Sequence, residues 1–539
     1  MLPSPRSGRD GVAAAAHEDR GFAMIMTVVV IMIVMVLLTA IFDQGIEGLP
    51  LARQAQDYQA ALQAANSGVE DYINRLDNNT TYYTLGNNDA SNPAMENGGR
   101  WTTWAPVPGT AVNEWFRYAV DNSSTARTGT VYLTVTGAAG QNPATAGARY
   151  STRTIKEGIR ISGFTSFLYY TDYEIVSPTM SGLPASCVLH AWEYNRVTGG
   201  YGPDPYNCAG ELVYFVGKPG IQDGLHGSVF SNDELHICGN PTFPAGVTTA
   251  YDQATNLSVA GTSSYGGAGT YYGDPSCANS PTFGAPPGCQ SPCTQPAGAP
   301  NSPFPATNTS LKTDIPASNS GGGCAYVGPI TVTLDPVGGA GRMTVTGTVD
   351  TSITPSGQVC TGSNIPLPPN GLIYDENGSR SADVTVSGTL AGQLTIGSQT
   401  NITVAGNLLY SGGLTGTDML GLTATNDIVL SPPIRDLTID AAMVALNDSI
   451  YVQNWARIPV EGTLYVNGSM AQKYRGPVGT FTTGGGVGRI ASGYDKDYVY
   501  DSRLQFQQPP YYTSPTLPNW VKSSFSECNS TATPAVSTC

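Results

Sequence analysis

From Phe22 to Phe42 the chain carries twenty-one consecutive uncharged residues, most of them apolar, with Arg20 before the run and Asp43 after it. As a helix this run suffices to cross the roughly 30 Å hydrocarbon core of a bilayer. Its end, Leu37-Leu38-Thr39-Ala40-Ile41-Phe42, lacks the small-x-small exit of a cleaved secretory signal. Arg6, Arg9 and Arg20 in front of it favour a cytoplasmic N-terminus, so the expectation is a single-pass membrane protein with its body outside. Beyond DQGIEGLP (43–50) the pattern changes: Tyr58, Leu62, Ala65, Val69, Tyr72 and Leu76 recur at steps of three and four between polar positions, which predicts an amphipathic helix. Run together, residues 22–76 would make a rod of roughly 80 Å. Gly45, Gly48 and Pro50 are expected to bend or loosen it.

The next pattern has period two. After a polar stretch at 79–100, the segments EWFRYAV (114–120), GTVYLTVTG (129–137) and RYSTRTIKEGIRI (149–161) read as strands separated by Gly, Asn and Ser clusters. A small antiparallel sheet on the apolar face of the helix buries both, so residues 79–175 are expected to form one region behind the helix of 22–78. GFTSFLYYTDYE (163–174) is rich in aromatics and reads as a packed junction.

Farther on, MTVTGTV (343–349), VTVSGTL (384–390), ITVAGNL (402–408), LTATNDI (422–428), VALNDSI (444–450) and LYVNGSM (464–470) share one pattern at a spacing near twenty residues with one double step. Short strands with a Gly, Asn or Asp bend at that period predict a parallel β-helix. LHGSVFSNDELHICG (225–239) and LSVAGTS (257–263) place its start before residue 250. The expected fold is therefore mainly β: a long N-terminal helix, a small α/β region, and a β-helix body over 176–492. A Pro-, Gly- and Cys-rich excursion at 272–325 interrupts that body, and a cap and tail over 493–539 close the chain. A β-sandwich with similar turns is the alternative.

Composition narrows the function. Only 12% of residues are charged, against about 25% in average soluble domains, and 64 Gly and 39 Pro fit loops and short strands. A net charge of −15 opposes nucleic-acid binding, which needs clustered Lys and Arg. All ten cysteines follow the apolar run, as expected for disulfides in an oxidising space. Cys187 with Cys208, and Cys528 with Cys539, are candidate local pairs. Cys289 and Cys293 have no second close Cys pair, and the chain holds four histidines in all, so disulfides are favoured over zinc and no cofactor is expected.

The leader ending in Arg20-Gly21, the aromatic Phe22, the apolar helix and AALQAANSGVEDYINRL (60–76) resemble the N-terminus of type IV pilin-like proteins, in particular PilX-type minor pilins. AQKYRGPVGT (471–480) and GYDKDYVYDSRLQFQQPPYY (493–512) resemble the ends of large members with β-helical bodies. The resemblance implies a leader over 1–21, cleavage between Gly21 and Phe22 by a prepilin peptidase, and N-methylation of Phe22. It also implies residence in membrane lipid before assembly, with other pilin-like subunits and the pilus assembly machinery as partners. Pilins usually carry glutamate at the fifth mature position, where this chain has Met26. Without a carboxylate for the neighbouring amine, a tip or low-copy position fits better than a repeating shaft position.

Three groups of acids and one histidine are candidates for chemistry. Asp495, Asp497 and Asp501 have short spacing suited to calcium, but lack an EF-hand glycine or distal glutamate, and read instead as a capping turn. Asp427 and Asp448 occupy equivalent bends of successive coils, about 4.8 Å apart if stacked. That is the arrangement a polysaccharide-acting enzyme would need, although Asn-Asp is also ordinary bend chemistry. Asp233 and His236 form an isolated pair. The expectation is a non-enzymatic filament subunit displaying a body for assembly or for an unnamed surface ligand. A permanently anchored adhesin and a β-helix enzyme are the alternatives.

Overall fold

The computed structural model describes residues 19–96, 103–109, 113–182, 213–232, 235–249, 271–273, 277, 281–284, 303–316, 321–377, 383–484, 486–516 and 519–528. The chain is mainly β, with one long helix. Helix α1 (Asp19–Asn78) runs through 60 residues, about 90 Å at 1.5 Å per residue. The helix is continuous through Gly45, Gly48 and Pro50: one proline removes a single backbone donor, and the turns on both sides carry the helix across.

Membrane location is corrected. Among the described residues no helix is long and apolar enough to cross a membrane. The apolar run whose side chains are described extends from Met24 to Thr39, roughly 24 Å of helix against a hydrocarbon core of about 30 Å. The single-pass anchor with a cytoplasmic N-terminus is therefore not carried forward.

The C-terminal half of α1 packs on an antiparallel sheet. Ala61, Ala64, Ala65, Val69, Tyr72 and Leu76 are fully buried, whereas Tyr58, expected to start the stripe, is exposed. The ring of Tyr58 instead lies 4.4 Å from the Arg153 guanidinium carbon. Helix and sheet approach closely because Gly137 sits beneath the helix: a Cβ there would stand 2.0 Å from the Ala61 carbonyl oxygen. Strands Glu114–Asp121, Thr130–Gly140 and Tyr150–Ser162 match the three expected segments. The outer strand was not legible in the sequence. Asn519–Cys528, from the expected tail, pairs antiparallel with Tyr150–Ser162 and completes the sheet. Ion pairs from Arg153 to Glu527, and from Lys522 to Glu70 at 2.7 Å, hold it there.

Most of the remaining strands form parallel rows. In one, Ile373, Ile396, Leu422, Met443, Met470, Tyr169, Val229 and Val247 are successive neighbours across the ladder. All eight belong to one buried cluster. A second row stacks Ile330, Val384, Ile402, Ile428 and Ile450. Each inward side chain rests on its equivalent above and below, so the rows bury a continuous apolar column. Stacking departs from chain order: Tyr169–Tyr173, the first of these strands in sequence, lies beside the segment 470–474.

Two expectations about the repeats are corrected. MTVTGTV is not a coil, because Arg342–Thr346 pairs antiparallel with Ile330–Leu334 and with Gly362–Pro366. LTATNDI straddles a bend, ending one strand at Ala424 and starting the next at Ile428. Equivalent positions 384, 402, 428 and 450 are 18, 26 and 22 apart, so loop length varies while the stacked core is kept. The 163–174 stretch is a packed junction: Tyr170 stacks on Phe230 at 4.6 Å, and Phe164 stacks on Phe304 at 4.6 Å. Residues 303–316 lie along the outside of the first row, where the Asn308 amide donates to the carbonyls of Ser398 and Thr423, each at 2.8 Å.

Candidate functional site

The bends joining the first row to the second stack into a ladder of Asp, Asn and Ser. The Asp383 carboxylate accepts from the Thr400 hydroxyl at 3.0 Å and the Asn401 amide at 3.1 Å. Asn401 Oδ1 accepts from the Asp427 backbone N–H at 3.2 Å, and Asp427 Oδ1 accepts from that of Ser449 at 3.1 Å. Asn401 and Asp427 thus each satisfy a backbone donor that the bend removes from the strand ladder.

Asp427 and Asp448 influence one another electrostatically, but they are not stacked as the sequence suggested: Ile428 lies beside Ile450, which sets Ser449 rather than Asp448 opposite Asp427. Burial first, then the neighbouring Asp448 carboxylate, pushes the Asp427 carboxyl up to about 7. Asp448 Oδ2 accepts from the Thr179 hydroxyl at 2.5 Å, and Oδ1 from the Ser449 hydroxyl at 3.3 Å. Tyr451 stands beside them, its phenol raised by burial and then by both carboxylates. Chemically the pair can hold one proton at neutral pH. Asp375 is a second retained proton: it is fully buried, and burial, Asp383 and Glu376 push it up to about 8.

The other sequence candidates are separated. Asp495 Oδ1 accepts from the Lys496 backbone, Asp497 lies 3.5 Å from the His226 imidazole, and Asp501 is taken by Arg503 at 2.6 Å. Asp501 also caps the short helix Ser502–Gln505. Among the described residues no group of three metal-ligating side chains converges. His236 is buried, while Asp233 lies outside the described residues. So do Cys187, Cys208, Cys289, Cys293 and Cys539; Gly21 and Phe22 lie in α1, where the surroundings of the Phe22 side chain are likewise outside the described part. Cys528 is disulfide-bonded.

Sequence reasoning missed two disulfides, Cys238–Cys277 and Cys324–Cys360. It also missed two buried ion pairs. Arg475 reaches Glu174 at 2.7 Å and Lys496 reaches Asp223 at 2.7 Å. Both flank Phe215, whose ring centroid lies 3.5 Å from the Arg475 guanidinium carbon. An isolated charge in an apolar context, such as Glu174 in TDYEIV, was the one available signal.

No protein-family model matches the chain, and no curated protein does. Among solved structures it is similar to the competence-associated pilin ComZ from Thermus thermophilus, at 11% identity and a TM-score of 0.23, over 87% of this chain and 97% of that one. A likeness of that degree carries no argument here.

Proposed function

We propose that the chain is a structural subunit of a type IV pilus or related filament, of the PilX-like minor pilin kind. In this reading α1 is the packing spine, and the stacked rows are a parallel β-helix presented for assembly or adhesion. The observation that supports it is the division of α1. Apolar side chains from Met24 to Leu38 are exposed, while those from Ala61 to Leu76 are buried on the sheet. A helix apolar on all sides belongs in an interior, and apolar surface of this extent is removed from water by association. Other pilin-like subunits supply that interior, after a prepilin peptidase cuts between Gly21 and Phe22. Met26 offers no carboxylate to a neighbour's amine, which suits a tip or low-copy position.

Mass spectrometry of filaments sheared from cells tests this. The expected N-terminal peptide begins at a methylated Phe22. An intact Met1 leader in that material, or absence of the chain from it, would sink the proposal.

A further inference from the structure

The outward side of the second row carries a regular line of groups that the core does not use, ending at Tyr451 beside the acidic pair. Register places Thr346, Thr331, Thr385, Thr403, Val429 and Tyr451 side by side across successive strands. A shorter parallel line, Thr344, Thr333 and Ser387, runs two residues farther along the strands. Neighbours within a line are about 4.8 Å apart, and the two lines about 6.7 Å apart. Their inward neighbours Val332, Val386 and Val404 are fully buried, so the outward direction follows from the strand alternation.

The hydroxyls of Thr331, Thr333, Thr346, Thr385, Thr403 and Ser387 make no side-chain hydrogen bond among the described residues. No position on either line is charged. Six such hydroxyls, held on one ladder of strands, are donors and acceptors fixed before binding. The line ends at Tyr451, which offers an aromatic face and a polar tip.

We propose that this face is a binding track for a neutral, β-linked polysaccharide. The rung spacing is close to the advance of one pyranose unit in an extended β-linked chain, so each strand meets one sugar. Threonine hydroxyls pair with sugar hydroxyls along the track, and the Tyr451 ring stacks on a pyranose C–H face at its end. The absence of charge on both lines selects against uronic-acid or sulfated polymers. This deepens the adhesive reading above by naming the ligand class, and it rests on that reading for the display of the body outside the cell.

The test is retention of the purified full chain on microcrystalline cellulose and on chitin, with alginate as the anionic control. The expected result is retention on at least one neutral polymer, insensitive to raising salt to about 0.5 M, where ionic attraction is screened. Tyr451→Ala is expected to weaken binding about tenfold, while Tyr451→Phe, which keeps the ring, binds like the native chain. The triple variant Thr331→Val, Thr385→Val, Thr403→Val preserves shape and strand preference and is expected to lose retention with an unchanged melting temperature. Retention on neither neutral polymer, retention on alginate alone, or full retention by Tyr451→Ala overturns the proposal. So does inhibition of ice growth without glycan retention, which would make the hydroxyl array a water template. A methylated Phe22 in filaments alongside failed retention would overturn the track and leave the filament reading standing.

Discussion

Replacing Arg475 by methionine removes one half of a buried pair and leaves the other. Arg475 donates to Glu174 at 2.7 Å and to the Val213 carbonyl at 3.0 Å, and the two charged side chains are 3% and 0% exposed. Methionine matches the stem and keeps the contact with Phe215, so the dominant effect is on Glu174. Its carboxylate would retain the Thr171 hydroxyl and lose its counter-charge. Taking up a proton is the way out. At pH 7, protonating a carboxyl of ordinary pKa near 4.3 costs about 4 kcal/mol at 1.36 kcal/mol per unit, within the roughly 3–5 kcal/mol typical of breaking a buried pair. At about 2.1 cal/mol/K of unfolding entropy per residue, a body of about 300 residues shifts by about 1.6 °C per kcal/mol, so the melting temperature should fall by about 6 °C. The sign with pH follows: near pH 4.5 the carboxyl takes its proton at almost no cost in either state, so the deficit against the native chain shrinks. Thermal unfolding of the full chain at both pH values measures this, with hydrogen exchange over 169–174 reporting where the structure opens. Adding Glu174→Gln to Arg475→Met should recover most of the loss. A deficit below about 1 kcal/mol, equal at both pH values, would refute the argument, because a buried carboxylate that has lost the Arg475 charge must carry a pH-dependent penalty.

Two further outcomes follow from the same structure. Asp427 holds its proton to about pH 7 in the folded chain, while an unfolded aspartate ionises near 3.9. Between those values the unfolded state binds fewer protons, so stability falls by about 4 kcal/mol as pH rises and then levels; Asp427→Asn should flatten that slope in melting curves taken from pH 4 to 8. Cys324–Cys360 closes a sequence separation of 36 residues, worth about 4 kcal/mol of loop entropy, and Cys324→Ala with Cys360→Ala should lower the melting temperature by about 6 °C under non-reducing conditions.

What the sequence made legible is what local periodicity carries. The stripe ending in Val69, Tyr72 and Leu76 and the three alternating strands appear as expected because both encode their own burial. Asp427 and Asp448 were legible as neighbours because consecutive bends repeat Asn-Asp. Pairings between distant segments left no such trace. Nothing near Asn519–Cys528 marks it as a partner of Tyr150–Ser162, since its alternation fits any sheet edge. The hairpin at 342–346 reads TVT like the coil strands around it, and only direction distinguishes them, which side-chain pattern does not record. Asp375 in LIYDE looks like an outward polar residue, yet it points into a closed core and keeps its proton there.

The placement of Tyr169–Tyr173 beside residues 470–474 sets a schedule for biogenesis. The ribosome delivers the first of these strands about 300 residues before its neighbour, which at roughly 5–20 residues per second means an interval of about 15–60 s. Val229–Ser231 arrives about 60 residues later and covers one edge, but the other edge presents unpaired amides until 470–474 is made. Chaperone cover during synthesis, rather than self-sufficiency of the early chain, is the condition this topology imposes.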